Sequence, residues 1–413
     1  MAVNYTPPTA ESLLPVPGIR LGTAAARIKA WERDDVVLIE AAAGTRAAGV
    51  FTQNAFCAAP VTVCRAHLAA QHGQGLDFRA LVVNAGNANA GTGDAGIAAA
   101  EATCVRAAQL GDCSPLQVLP FSTGVIMEPL PVDRVVAGVA KAHAALRADG
   151  WFDAARAIMT TDTVPKGRSL AVDVHGFPIT VTGIAKGAGM IHPDMATMLA
   201  FVATDAPIAG PVLQTLVRDV ASASFNRASV DGDTSTNDSF VIAATARAGI
   251  APILDPEDPR LASIRAAIEG VAVHLAQAIV RDGEGATKFI TIDVRGGRDV
   301  DECRRVAFTI AHSPLVKTAF FASDPNLGRI VCAIGNAALP GLDPAGVSFR
   351  LDDVVVVDRG GRAGSYTEDQ GQRVMKAPEI TVRVDLGRGD ARASVWTCDL
   401  SHDYVSINAD YRS

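Results

Sequence analysis

KGAGMIHPDMATMLAF, Lys186–Phe201, is the stretch on which the reading of the whole chain turns. Two early glycines free the backbone, Pro193 interrupts it, and Thr197 stands between apolar residues where a strand is about to begin. The plain reading is a glycine-bearing turn into a buried strand, with Lys186 in solvent and Thr197 a β-branched strand residue. A chemical reading stands beside it. A threonine hydroxyl is a weak nucleophile until a base activates it, and one such base is the threonine's own α-amino group, freed by cutting the preceding bond. That bond is Ala196–Thr197.

Working outward, 413 residues exceed what one core comfortably fills, so two lobes, or one large layered domain with an appended one, are expected. Aromatics make up only 5% of the chain, and alanine, valine and glycine take their place, which predicts a core of small, closely layered side chains. A net charge of −7 without any basic run leaves no electrostatic footprint for nucleic acid. Seven scattered cysteines form no C-x-x-C pair, which fits reduced thiols in a cytoplasmic enzyme and supports neither a metal site nor a disulfide framework. The first residues, MAVNYTPPTAESLLPVPG, lack a basic and an apolar leader region, and no eighteen apolar residues run uninterrupted, so no membrane is expected.

Upstream of the central stretch, Val36–Ala42, Ala48–Thr52 and Ala80–Asn84 read as strands. The last leads through NAGNANAGTGDAG, where Asn87 and Asn89 would satisfy their own backbone and Thr92 or Asp94 would cap a helix over Ala95–Leu110. Neither nucleotide-binding glycine fingerprint is present in that run. Gln117–Phe121 reads as a buried strand ending in Ser122-Thr123-Gly124, followed by helices over Pro131–Leu146 and Phe152–Met159. A strand end of this kind is usually a plain turn, although its N–H groups and hydroxyl suit a developing oxyanion. Leu170–Val174 and Ile179–Ile184 form a hairpin around His175-Gly176-Phe177 that delivers the central stretch.

Downstream, the strand from Thr197 runs through Val202, and Pro211–Asn226 has helical period. SVDGDTSTNDSF holds Asp231, Asp233 and Asp238, but the spacing misses the calcium-loop pattern; it reads as a capped turn before the strand Phe240–Ala244. Pro259–Arg281 and Asp301–Ala322 read as helices, the latter followed by a turn, SDPNLGR, before Ile330–Ile334. Strands cluster in the last third, at Val347–Val357, Ile380–Asp385 and Ala393–Cys398. Alternation of strands with helices in one half and clustering of strands in the other predict a layered α/β sandwich with a strand-rich C-terminal lobe, rather than a doubly wound sheet.

In order along the chain, LPVPGIRLG, TTDT, KGAGM with MATML, STNDS, GEGATK, VKTAFFASDPNLGR and DLSHDYV resemble the ornithine acetyltransferase family, the ArgJ enzymes of arginine biosynthesis. The resemblance covers essentially the whole chain. It implies a sandwich of the ornithine acetyltransferase and β-aminopeptidase type, like the N-terminal-nucleophile enzymes. It also implies self-cleavage into an α part, Met1–Ala196, and a β part, Thr197–Ser413, that stay together and pair into an α2β2 heterotetramer.

The implied activity moves an acetyl group from N-acetylornithine to glutamate with no cofactor. Members that also take acetyl-CoA as co-substrate share the same motifs with members that do not. Carried over by position, Thr197 is the nucleophile, Thr123 and Gly124 form the oxyanion hole, Thr160, Lys186, Thr197, Glu284, Asn408 and Ser413 contact substrate, and SVDGDTSTNDSF is a loop of the active site. One departure is Met127, where many relatives have glycine. The implied rivals are an N-terminal-nucleophile aminopeptidase, which gives the acyl group to water, and an uncut binding protein.

Overall fold

The structure, a computed structural model, describes residues 2–192 and 198–409. It divides into two compact units, the larger made of Thr6–Asn226 and Asp233–Ile279, the smaller of Met1–Tyr5, Arg227–Gly232 and Val280–Ser413.

The larger unit runs β1 (Ile19–Ala24), β2 (Val36–Ala41), β3 (Arg46–Phe51), α1 (Ala59–Gln74), β4 (Ala80–Asn87), α2 (Gly93–Leu110), β5 (Val118–Val125), α3 (Val132–Ala144) and α4 (Trp151–Ala157). It continues through β6 (Lys166–Val174), β7 (Phe177–Lys186), β8 (Leu199–Thr204), α5 (Gly210–Ala223), β9 (Ser239–Ala244) and α6 (Pro259–Arg281). One sheet has the order β1-β2-β4-β5 and the other β3-β9-β8-β7-β6. Strands such as VVLIEA of β2 and LAFVAT of β8 are apolar without alternation because both of their faces are covered.

The two sheets pack face to face. Leu21, Ile39, Val83 and Phe121 of the first share one core with Ile184, Phe201 and Val241 of the second. The Phe121 and Phe201 rings meet edge-on at 4.9 Å, an arrangement worth about 0.5–1.5 kcal/mol beyond burial itself. Outside the first sheet, Val36, Leu38 and Val118 pack on Ala99, Ala107, Val135 and Val139 of α2 and α3. Outside the second, α6 presses so closely on β7 that a Cβ at Gly183 would lie 2.9 Å from Val271 Cγ1. Helix, sheet, sheet and helix thus form the expected layered α/β sandwich.

Among the described residues α6 is the one helix long and apolar enough to cross a membrane. Its Ile264, Ile268, Val271 and Leu275 are fully buried in the fold.

The smaller unit holds β10 (Phe289–Gly297), α7 (Val300–Ala311), α8 (Pro314–Ala322), α9 (Gly328–Asn336), β11 (Ser348–Leu351), β12 (Val354–Asp358), β13 (Gly361–Arg362), α10 (Glu368–Met375), β14 (Glu379–Asp385), β15 (Ala391–Cys398) and α11 (His402–Ala409). Its sheet has the order β13-β12-β11-β14-β10-β15. Burial alternates along β14. The inward residues Val382 and Val384 join Ile292, Val306, Ile310 and Ile334 in a separate core.

Several boundaries differ from the sequence reading. The strands expected at 80–84 and 117–121 both run on, so Ser122, Thr123 and Gly124 lie inside β5, paired in parallel with Asn84, Ala85 and Gly86 of β4. The single helix expected at 301–322 is two, because Ser313 accepts the Val316 amide and Pro314 opens the second helix. The turn at 323–329 leads into α9, and the tail carries a helix through Ala409.

Candidate active site

In the larger unit the site is built at one end of β5 and β7. Gly124 has φ +137°, and a Cβ there would stand 2.2 Å from the Gly86 carbonyl carbon, so the close approach of β5 to β4 requires glycine. Just before it, the buried Thr123 hydroxyl accepts a hydrogen bond from the Lys186 ammonium at 3.1 Å. Among the described residues no acceptor takes the Thr123 hydroxyl hydrogen. An oxygen that accepts from an ammonium leaves its own O–H a stronger donor to a third group.

Asp162 organises the other side. It accepts the Lys166 ammonium at 2.6 Å, the Gly187 amide at 2.7 Å and the Thr160 amide at 3.0 Å. Burial alone would raise the pKa of this carboxyl. The positive charges of Lys166 and Lys186, with the hydrogen bonds from Lys166 and Gly187, outweigh that effect and hold it well below the usual carboxylate range. A buried carboxylate thus ties the Thr160 segment to the end of β7 and to the buried Lys166 side chain. Removing one partner of such a pair costs about 3–5 kcal/mol.

The backing of the strand end comes from amide side chains. Ser122 Oγ donates to Asn84 Oδ1 at 2.6 Å, and Asn237 Nδ2 donates to the Ser122 and Ala88 carbonyls at 2.9 and 2.7 Å. The expectation that Asn87 and Asn89 serve their own backbone holds for the Asn89 amide, which donates to Asn87 Oδ1 at 2.8 Å. Their side-chain amides instead reach the Glu128, Pro129 and Gly96 carbonyls. Thr92 occupies the N-cap position of α2 without capping it; its hydroxyl donates to Asn89 Oδ1. Met127 has φ +65° and is exposed; a left-handed backbone carries a methionine here at some cost and would suit glycine better.

The structure therefore brings Thr123, Gly124, Thr160 and Lys186 together. Ala196 and Thr197 lie outside the described residues. Just beyond them, Leu199 of β8 pairs with Lys186 of β7. In the smaller unit, Asn408 Nδ2 donates to Glu284 Oε2 at 2.7 Å and to the Tyr404 carbonyl at 3.0 Å. Ser413 lies outside the described residues. Among the described residues no three of His, Cys, Asp and Glu gather as a metal site.

Sequence reasoning assigned no role to Asp162, nor to Asn237 beyond its place in a loop that the resemblance puts at the active site. The Asp162–Lys166 spacing, a carboxylate and an ammonium four residues apart beside buried strand, was the available signal for the first.

A sheet-on-sheet α/β sandwich whose strand end sets a threonine–glycine pair beside a buried ammonium is a fold with a site suited to acyl chemistry. The chain belongs to the ArgJ family, whose model matches residues 20–413, and so falls among the acetyltransferases of arginine biosynthesis.

Similar solved structures include the arginine biosynthesis bifunctional protein argJ of Bacillus halodurans, 37% identical, with 51% of this chain and 97% of that one covered and a TM-score of 0.48. The ornithine acetyltransferase of Mycobacterium tuberculosis complexed with ornithine is 32% identical, covering 47% of this chain and 99% of that one, with a TM-score of 0.39. An L-aminopeptidase D-Ala-esterase/amidase from Ochrobactrum anthropi is 15% identical over 68% of this chain and 90% of its own, with a TM-score of 0.41.

Proposed function

We propose that this protein cuts itself at Ala196–Thr197 and then uses Thr197 to carry an acetyl group from N-acetylornithine to glutamate. The observation that carries the reading is the Lys186–Thr123 hydrogen bond of 3.1 Å beside Gly124, at the strand end where β7 pairs with the first residues of β8. In the first step the Thr197 hydroxyl attacks the Ala196 carbonyl, the acyl group shifts from nitrogen to oxygen, and water opens the ester. The α-amino group so freed has an ordinary pKa of about 7.7–8.0, near enough to neutrality to serve as base.

The same hydroxyl then takes the acetyl group of N-acetylornithine, and ornithine leaves. Thr123 Oγ–H and the Gly124 N–H meet the tetrahedral oxyanion, the former polarised by Lys186. Glutamate attacks the acetyl-threonine and departs as N-acetylglutamate, which makes the transfer ping-pong. Thr160 and Lys186 orient the substrates. Glu284, with its Asn408 partner, and Ser413 complete the substrate contacts; the Glu284 carboxylate suits the cationic end of ornithine. The working form is an α2β2 heterotetramer in the cytoplasm, with no cofactor.

Incubation of purified protein with N-acetylornithine and glutamate should yield equal amounts of ornithine and N-acetylglutamate. On denaturing electrophoresis the protein should run as two bands, the second beginning Thr-Met-Leu-Ala-Phe. Ornithine and acetate formed without need of glutamate would mean an aminopeptidase-type hydrolase, and no turnover of an uncut chain would mean a binding protein. Acetyl-CoA in place of N-acetylornithine, read by release of CoA thiol, tests for the second donor.

A further inference from the structure

Arg33 lies in the loop between β1 and β2, and its guanidinium reaches the C-terminal end of α4. It donates to the carbonyls of Arg156 at 3.1 Å, of Ala157 at 3.4 Å and of Met159. The last carbonyls of a helix have no partner within it, and the planar fork of an arginine suits several of them at once. One face of the guanidinium rests on the Trp31 ring, 4.2 Å from the centroid. Burial lowers the Arg33 pKa while the charges of Asp162 and Asp35 oppose that, so the cation stands within electrostatic reach of both carboxylates.

Of the three carbonyls, that of Met159 bears on the site. Met159 and Thr160 share a peptide bond: Arg33 holds its C=O, and Asp162 Oδ2 accepts its N–H at 3.0 Å. A trans peptide unit is planar, points these two groups in opposite directions and carries both flanking Cα atoms in its plane. A cation on one edge and a carboxylate on the other therefore fix where the Cα of Thr160 stands.

The loop that carries Arg33 is tied in turn to the strands that carry Gly124. Asp35 is fully buried; its carboxylate accepts the Ala26 and Ile28 amides at 2.6 and 2.7 Å, and its carbonyl accepts the Ala85 amide of β4 at 2.8 Å. A Cβ on Gly86 would lie 3.0 Å from Lys29 Cγ and 3.5 Å from Trp31 Cζ3, so the loop packs on the glycine that pairs with Gly124.

Resting on the reading of Thr160 as a substrate contact, we infer that Arg33 is a positioning residue of the transfer site, holding Thr160 in a set place relative to Gly124 through the Met159–Thr160 peptide. Lysine is no substitute, because its ammonium is a point charge on a flexible stem and cannot span the Arg156 and Met159 carbonyls together.

Steady-state kinetics on the fully cut protein, with N-acetylornithine varied at saturating glutamate, test this. Thr160→Ala should raise KM. Arg33→Lys and Arg33→Gln should raise it about 10-fold with kcat little changed, because the contact is displaced rather than the chemistry altered. In the Thr160→Ala background the same Arg33 changes should add about twofold or less, since no hydroxyl is left to place. A helix cap without this role would lower the urea midpoint in both backgrounds and leave KM where it was.

A raised KM in Thr160→Ala beside an unchanged KM in both Arg33 variants would overturn the role of Arg33 and leave Thr160 as a contact. An Arg33 effect of full size in the Thr160→Ala background would overturn it as well. An unchanged KM in Thr160→Ala would remove Thr160 from the substrate contacts and Arg33 with it, while acetyl transfer itself stood; wild-type protein without transfer would sink the reading beneath both. Should the Arg33 variants fail to fold, Trp31→Leu keeps the guanidinium but takes away the ring under it. KM should then rise in the same sense, and an unchanged KM would overturn the proposal.

Discussion

At Thr123 one buried hydroxyl accepts a hydrogen bond from the Lys186 ammonium. In the mechanism proposed above, its own hydrogen is the donor to the oxyanion. Thr123→Ala removes that donor while leaving the Gly124 N–H in place, and kcat for acetyl transfer should fall roughly 100- to 1,000-fold. Steady-state kinetics on fully cut protein measure this, and an unchanged kcat would reduce the strand end to a turn. Thr123, Gly124, Thr160 and Lys186 could be named from the sequence only because the stretches that hold them resemble those of the family; spacing alone read as plain turns. The carboxylate that joins them could not. Asp162 takes hydrogens from residues 160 and 187, and no spacing along the chain announces which two loops will meet at one oxygen pair. Asp238 was legible as an acidic residue in a turn, but its complete burial belongs to the folded state.

At the scale of elements, β4 and β5 show both what pattern reveals and what it hides. The apolar runs 80–83 and 118–121 marked the two strands. Their continuation through Asn84–Asn87 and Ser122–Val125 was hidden because those residues are small and polar and form strand only by pairing with each other. The β6–β7 hairpin was legible, but its turn is His175-Gly176 alone, both at positive φ, because Phe177, read as part of the turn, already pairs with Val174. The break at Ser313-Pro314 was missed because apolar spacing continues across it.

Gly124→Ala tests the tightest point of this pairing. A side chain there meets Gly86 backbone at 2.2 Å on a φ of +137°, and the cost should be about 1–3 kcal/mol or more. A lower midpoint in urea unfolding, together with loss of acetyl transfer, is expected. A wild-type midpoint would show that the two strands part without cost.

For the molecule as a whole, chain order and packing order differ. In the five-stranded sheet β3, β6 and β7 precede residue 197 while β8 and β9 follow it, and the order β3-β9-β8-β7-β6 inserts the later pair between the earlier strands. A cut at Ala196–Thr197 therefore severs the chain without severing the sheet. The two fragments should co-elute in size-exclusion chromatography in plain buffer and part only in denaturant; separation without denaturant would contradict this strand order.

The same weave constrains the protein while it is being made. Arg46 finds its sheet partner in Ala244, so a nascent chain that has left the ribosome only as far as β7 has an open-edged, incomplete layer. The amide of Val3 donates to the carbonyl of Arg281, and Asn4 Nδ2 donates to Glu379 Oε1. Residues 3 and 4 thus wait for partners made more than 270 residues later before they reach their places.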